Sequence, residues 1–223
     1  MAIRALVFDF DGLILDTETV VYRSWEHVYT EHDVPMPMDL WFGAIGTDGS
    51  TYDPLAYLLE RRPELDLEGL HVRRRAHRDG LLGELAPQPG VVDRLEEAGA
   101  HGLSLAVASS SEREWVEGHL GRLGLRDHFA QLRCREDVPR VKPDPALYRA
   151  AAESLGVAPG EALAFEDSPN GIAAARAAGM ACVAVPGPMT SGLDFTGADL
   201  QLTSLAERNL GEILAVVGSR RSV

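Results

Sequence analysis

Two hydrophobic periods share this chain. Ala5 to Phe8 is a short, unbroken apolar run with the length of a strand buried on both faces. The spacing then lengthens: Val20, Trp25, Val28 and Tyr29 recur at helical intervals, with Asp16 or Thr17 placed as N-cap and Pro35 and Pro37 placed to end the helix. Tyr52, Leu55, Ala56, Leu58 and Leu59 give a second helix an apolar face over about 53–60, and a third is predicted over about 67–85. Nothing between Thr17 and Leu85 reads as a strand.

Pro87-Gln88-Pro89-Gly90 is a linker signal, and beyond it short apolar runs alternate with helical patterns. A helix is predicted from Val91 to about Ala98, stopped by Gly99, and then a buried strand over Leu103 to Ala108. Ser111 with Glu114 has the form of a capping box opening the next helix, where Trp115 is expected to pack against the sheet. Asp144-Pro145 reads as the N-cap and first-turn proline of a helix running to about Leu155. Ser168-Pro169 repeats that signature for a helix ending at Gly179. Ala162 to Phe165, Ala181 to Val185 and a weaker Asp199 to Leu202 supply further strands, before a last helix over about 205–217.

Apolar strands interleaved with helices imply an α/β fold, a doubly wound, mostly parallel sheet covered on both faces. The first strand belongs to that sheet. The helical stretch is then an insertion, with residues 1–16 and 87–223 forming the core and 17–86 a helical domain.

Composition narrows the partners. The chain has 223 residues, 45% of them hydrophobic, enough for such a core with an insert. A net charge of −13 disfavours nucleic acid and anionic membrane surfaces as partners, and it means that any phosphate site needs a local cation. No stretch approaches the ~20 apolar residues of a membrane span. Met1-Ala2-Ile3-Arg4 runs straight into the first strand, with no signal-peptide pattern. Cys134 and Cys182 follow no metal or redox spacing and read as reduced thiols. The expectation is a cytoplasmic protein, a monomer or weak dimer.

The candidate chemistry lies where the apolar runs end. Asp9 and Asp11 follow the first strand at i and i+2. Two like charges ~4 Å apart repel by about 4 kcal/mol at an effective dielectric of 20, so such a pair calls for a cation or a proton between its members. Taken alone, the pair reads equally well as two loop aspartates capping a turn. Three more polar positions fall at strand ends or nearby loops: Ser109-Ser110-Ser111, Lys142 before Pro143, and Glu166-Asp167 before Ser168. Singly, each has a bland explanation as a cap or a solvated side chain. All four, however, fall on the edge of the sheet where doubly wound folds bind ligands, beside helix N-termini. Together they also make chemical sense. Asp9, Asp11, Glu166 and Asp167 form a hard oxygen set suited to Mg²⁺, while serine hydroxyls, backbone N–H groups and Lys142 suit phosphate oxygens.

These four motifs, in this order, resemble those of the haloacid dehalogenase superfamily, over the whole chain. Asp-Gly-Leu-Ile-Leu-Asp-Thr-Glu after Asp9-Phe10, Val-Ala-Ser-Ser-Ser, Lys-Pro-Asp-Pro and Phe-Glu-Asp-Ser-Pro-Asn-Gly-Ile are closest to its beta-phosphoglucomutase-like branch. The resemblance implies a Mg²⁺-dependent phosphatase acting on a small phosphorylated metabolite such as a sugar phosphate, through an aspartyl-phosphate. In that reading Asp9 is the nucleophile and Asp11 the acid and base. Ser109, the Ser110 backbone and Lys142 hold the phosphoryl group. The metal is held by the Asp9 carboxylate, the Asp11 carbonyl and Asp167, with Glu166 in the outer shell. Thr17 marks the hinge to a helical cap.

Two departures set the chain apart from the mutases of that branch. Val21 or a neighbour stands where they carry a cap histidine, and Gly43-Ala44-Ile45-Gly46-Thr47-Asp48 contains no counterpart of their phosphate-gripping arginine. A hexose-phosphate mutase is therefore the alternative reading, and a catalytically idle phosphometabolite-binding protein a second. The retained Asp11 argues against a dehalogenase, and the absence of lysine from 17–86 argues against phosphonate hydrolysis through a Schiff base. Arg73, Arg74, Arg75 and Arg78, with His77, form the most basic run. It reads either as a solvated helix face or as a contact for an anionic part of the substrate.

Overall fold

β1 (Ala5–Phe8) is the central strand of a six-stranded, all-parallel sheet. The other strands are β2 (Ser104–Ala108), β3 (Gln131–Arg133), β4 (Ala162–Glu166), β5 (Ala181–Ala184) and β6 (Leu200–Gln201), in the order β3-β2-β1-β4-β5-β6. The computed structural model describes residues 2–44 and 52–220. Every side chain of β1 and β4 is buried, as expected for strands covered by helices on both faces. In register, Phe8 stands beside Val107 of β2 and Phe165 of β4. From β1 the chain steps outward through β2 to β3 and then crosses back to β4 on the other side of β1, so the strand order reverses at β1. Such a reversal opens a crevice at the carboxyl ends of the strands, and Asp9 is the first residue past β1.

Contacts divide the chain into two compact units, Met1–Leu15 with Ala86–Val223, and Asp16–Leu85. The first holds the sheet with α5 (Val91–Ala100), α6 (Arg113–Arg122), α7 (Ala146–Ser154), α8 (Pro169–Ala178) and α9 (Leu210–Arg220). One sheet face is floored with Ala5, Ala106, Ala108, Ala162, Ala164 and Ala184, packed with Leu147, Tyr148, Ala151 and Ala152 of α7 and Ala174, Ala175 and Ala178 of α8. The other unit holds α1 (Thr17–Glu31), α2 (Met38–Ala44), α3 (Pro54–Arg61) and α4 (Leu67–Glu84) around Trp25, Val28, Tyr29, Trp41, Tyr52, Leu58 and Leu70. Among the described residues, no helix is long and apolar enough to cross a membrane.

Several expected boundaries move. α1 ends at Glu31, before the prolines, because Asp33 adopts a left-handed φ of 53°. α5 continues through Gly99 to Ala100. The Ser111–Glu114 capping box does not form: Glu112 is the N-cap of α6, with no side-chain cap bond. Pro145, not Asp144, is the N-cap of α7, although Asp144 Oδ1 still accepts the Ala146 N–H at 3.0 Å. The last helix begins at Leu210, after a separate 3-10 turn at Leu205–Glu207. β3 and α2 were not anticipated. β3 is only three residues long, with Gln131 and Arg133 half-buried on either side of Leu132, so no apolar run marks it.

Candidate active site

The ends of β1 and β4 converge on a buried charge cluster. Asp9 continues the β1 ladder, its N–H donating to Phe165 O at 3.0 Å. Its carboxylate meets Lys142 Nζ at 2.5 Å, and the same ammonium lies 2.7 Å from Glu166 Oε1. All three side chains are almost fully buried, 10% exposed for Asp9, 6% for Lys142 and none for Glu166, so the ion pairs are shielded from water. Burial pushes the Asp9 carboxyl up to about 7, with Lys142 pulling it down and Glu166 adding to the rise. Burial alone would lower the Lys142 ammonium, but the carboxylates of Asp9 and Glu166 hold it above its usual value.

Glu166 is fixed on every side. Tyr148 on α7 donates its hydroxyl to Oε1, and Ser168 Oγ donates to Oε2 at 3.2 Å. Ser168 also caps α8 by accepting the Gly171 N–H at 3.1 Å. A Cβ at Gly171 would lie 1.9 Å from the Glu166 carboxylate, so only glycine lets the first turn of α8 come this close. Next to it, Asp167 packs on the backbone after β1. A Cβ at Gly12 would lie 2.0 Å from Asp167 Oδ2, and Gly12 has a φ of +81° that side chains rarely adopt.

Asp9, Glu166 and Asp167 are all buried and each offers a carboxylate oxygen, these atoms lying within 4.8 Å of one another. Three hard oxygen donors fit Mg²⁺, which takes few carboxylates and keeps waters. One lysine alone leaves such a cluster with excess negative charge, which a divalent cation would offset.

Asp11, two residues on, faces another way. Its Oδ2 accepts from Ser111 Oγ at 2.6 Å and its Oδ1 from Trp115 Nε1 at 2.9 Å. Trp115, expected to pack against the sheet, is half-buried and donates its N–H to this acid. The hydroxyl of Ser111 serves Asp11 where a helix cap was expected. Ser109 is buried at the end of β2, beside β1. Its N–H donates to Arg133 O of β3 at 2.9 Å, and its Oγ accepts the Ser111 N–H at 3.0 Å. Ser110 is half-buried between them. Thr17 belongs to the helical unit, where it opens α1 and is buried. The sequence reading missed Tyr148 and the hydrogen-bonding role of Trp115. Each is an aromatic at a core-like helical position whose polar tip leaves no periodic trace.

A family described as haloacid dehalogenase-like hydrolases matches residues 6–185. The chain belongs to that family. Among its relatives is the putative phosphatase YhcW of Bacillus subtilis, 43% identical over 98% of this chain and 99% of that one. Hexitol phosphatase B of Escherichia coli is 31% identical over 95% of this chain and 97% of its own length. Solved haloacid dehalogenase-like neighbours include CbbY from Rhodobacter sphaeroides in complex with phosphate, with TM-score 0.72 and 31% identity over 94% of this chain and 98% of that one. A putative beta-phosphoglucomutase from Thermotoga maritima matches over the full length of both chains, with TM-score 0.77 and 27% identity. The family and the beta-phosphoglucomutase-like branch expected from the motifs are thereby established.

Proposed function

We propose that this hydrolase is a Mg²⁺-dependent phosphatase of small phosphorylated metabolites, sugar phosphates foremost, working through an aspartyl-phosphate. The observation that carries the reading is the buried cluster of Asp9, Lys142, Glu166 and Asp167, at the carboxyl ends of β1 and β4. The names of the relatives support the substrate class: hexitol phosphatase and phosphorylated carbohydrates phosphatase both appear among them, and one solved neighbour holds xylulose bisphosphate.

Asp9 attacks phosphorus, forming a carboxylate oxygen–phosphorus bond as the bond to the leaving oxygen breaks. Asp11 gives that oxygen its proton. In the second half, water attacks phosphorus and yields its proton to Asp11, while the acyl-phosphate bond breaks and restores Asp9. Lys142, with the Ser109 hydroxyl and the Ser110 backbone, binds the phosphoryl oxygens. The Asp9 and Asp167 carboxylates and the Asp11 carbonyl would hold Mg²⁺, which when bound screens the nucleophile from the phosphoryl charge. The outer-shell role of Glu166 is supported by its oxygens already serving Tyr148, Lys142 and Ser168. The helical segment 17–86, hinged at Thr17, acts as the cap that sets specificity. The mutase-specific stretch at Gly43–Asp48 lies largely outside the described residues, and hydrolysis remains the reading its composition favours.

The deciding experiment is Asp9→Asn. Turnover of p-nitrophenyl phosphate with Mg²⁺ should fall by at least about 10³-fold, with the folded far-UV circular dichroism spectrum retained at the assay temperature. Activity within tenfold of the parent would remove Asp9 as nucleophile.

A further inference from the structure

Lys142 is the only lysine in the chain. Three groups hold its ammonium: Asp9 Oδ1 at 2.5 Å, Glu166 Oε1 at 2.7 Å, and the face of the Tyr148 ring, whose centroid is 5.1 Å away. Tyr148 acts on it a second time, through Glu166. Its hydroxyl donates to Oε1, the same oxygen that faces the ammonium, while Ser168 Oγ donates to Oε2 at 3.2 Å. Two donors thus divide one carboxylate oxygen, and each weakens the hold of the other on it. The phenol cannot turn away, for Tyr148 has no exposure and lies in the alanine-rich core under α7 and α8.

We propose that Tyr148 is a positioning residue for Lys142. By taking a share of Glu166 Oε1, it keeps that carboxylate from claiming the ammonium. Lys142 then stays divided between Glu166 and Asp9 and is presented to a phosphoryl oxygen. The inference rests on the reading of Lys142 as the phosphoryl-binding cation. A hydrogen bond between an ammonium and a carboxylate is short and strong, and it tightens when a competing donor leaves the oxygen. Without the hydroxyl, the ammonium is drawn toward Glu166, away from Asp9 and from an arriving phosphate. Phenylalanine at 148 would keep the ring beside the ammonium and lose only the hydroxyl. Lys142 precedes α7 and Tyr148 lies in its first turn, so one short stretch of chain carries both the cation and the group that sets its place.

The test is the affinity for inorganic phosphate at saturating Mg²⁺, measured by calorimetry. Tyr148→Phe should bind phosphate about tenfold more weakly than the parent, the low end of what a hydrogen bond to a charged group contributes. In a Lys142→Ala background the same substitution should change the affinity by less than about twofold, because the residue through which it acts is gone. A packing role alone would lower Tm and leave phosphate affinity in place. Parent-like affinity in Tyr148→Phe, beside a large loss in Lys142→Ala, overturns the proposal alone, as does an equal loss in both backgrounds. Parent-like affinity in Lys142→Ala overturns the reading of Lys142, and this inference with it. A sole lysine also gives ¹⁵N-lysine-labelled protein a single side-chain ammonium resonance. That resonance should move in Tyr148→Phe, and an unmoved one overturns the proposal even where Lys142→Ala does not fold. If Tyr148→Phe itself does not fold, 3-fluorotyrosine in the labelled parent decides. Its hydroxyl is the stronger donor and takes a larger share of Oε1, so the ammonium resonance should move, and an unmoved one overturns the proposal.

Discussion

Under α7 and α8 the sheet offers small side chains, Ala5, Ala106, Ala108, Ala162, Ala164 and Ala184, while the helical unit closes on Trp25, Tyr29, Trp41 and Tyr52. Small residues let strand and helix backbones approach, so strand ends and helix starts converge closely enough for Gly12 and Gly171 to touch carboxylates. Groups placed in this way are placed by the backbone. The aromatic cluster is fixed instead by ring packing and by its polar tips. Tyr29 Oη lies 2.8 Å from Tyr52 Oη and donates to Pro54 O at 2.7 Å, and burial raises both tyrosines. The sheet unit thus buries charge and the helical unit buries hydroxyls. Damage to the first should remove chemistry and stability together, and damage to the second stability alone.

Lys142→Ala tests the first half most severely. It leaves Asp9 and Glu166 buried without their ammonium. Breaking a buried pair by removing one partner costs about 3–5 kcal/mol. Urea denaturation should read that loss, and turnover of p-nitrophenyl phosphate should fall by more than about 10²-fold, in line with a clamp on transferring phosphoryl oxygens. A variant as stable as the parent would mean that the cluster is not charged as described. The matched change in the other unit is Leu58→Ala, at a position with no exposure in the aromatic core. Deleting a buried leucine costs about 2–5 kcal/mol by lost burial and cavity. Melting should fall accordingly, while kcat/KM measured well below the transition stays within about threefold of the parent, since uniform binding and chemistry are untouched. A large kcat/KM loss would end the contrast between the two units.

The same contrast explains what was legible in the sequence. Asp9, Asp11, Glu166 and Asp167 each sit just past a short apolar run, and Lys142 stands before a proline, so local pattern alone brings them to one sheet edge. The burial of strands β1 and β5, and of β4 up to Phe165, is likewise written in unbroken apolar residues. Tyr148 and Trp115 are not legible in this way, because helical periodicity counts an aromatic as core and is silent about its O–H or N–H. Ser111 shows the same limit. Its sequence context fits a helix cap, but a carboxylate brought within 2.6 Å by the fold is the stronger acceptor. In the helical unit α2 spans only seven residues, too few for a periodic signal.

The basic run on α4 supplies the smallest predicted effect. Its arginines have separate fates: Arg73 lies 3.8 Å from Glu31, Arg78 pairs with Asp79 at 2.8 Å, and Arg75 is exposed. Arg74 turns inward. Its guanidinium sits over the Trp25 ring at 4.4 Å and donates to Ser24 Oγ at 3.2 Å, while its Nε is buried with no partner among the described residues. Desolvation, with Arg78 and Arg75 nearby, lowers its pKa from the usual arginine value. A half-buried cation with its stem and face against an aromatic is a packing element that retains its charge at a cost. Arg74→Ala should therefore cost about 1 kcal/mol, the size of a partly desolvated cation–π contact. In a chain of this size that lowers Tm by about 2–4 °C. KM for β-glycerophosphate should stay within about twofold of the parent. A tenfold rise in KM with Tm unchanged would instead assign Arg74 to an anionic part of the substrate, and would give the helical unit a share of the chemistry that its core does not carry.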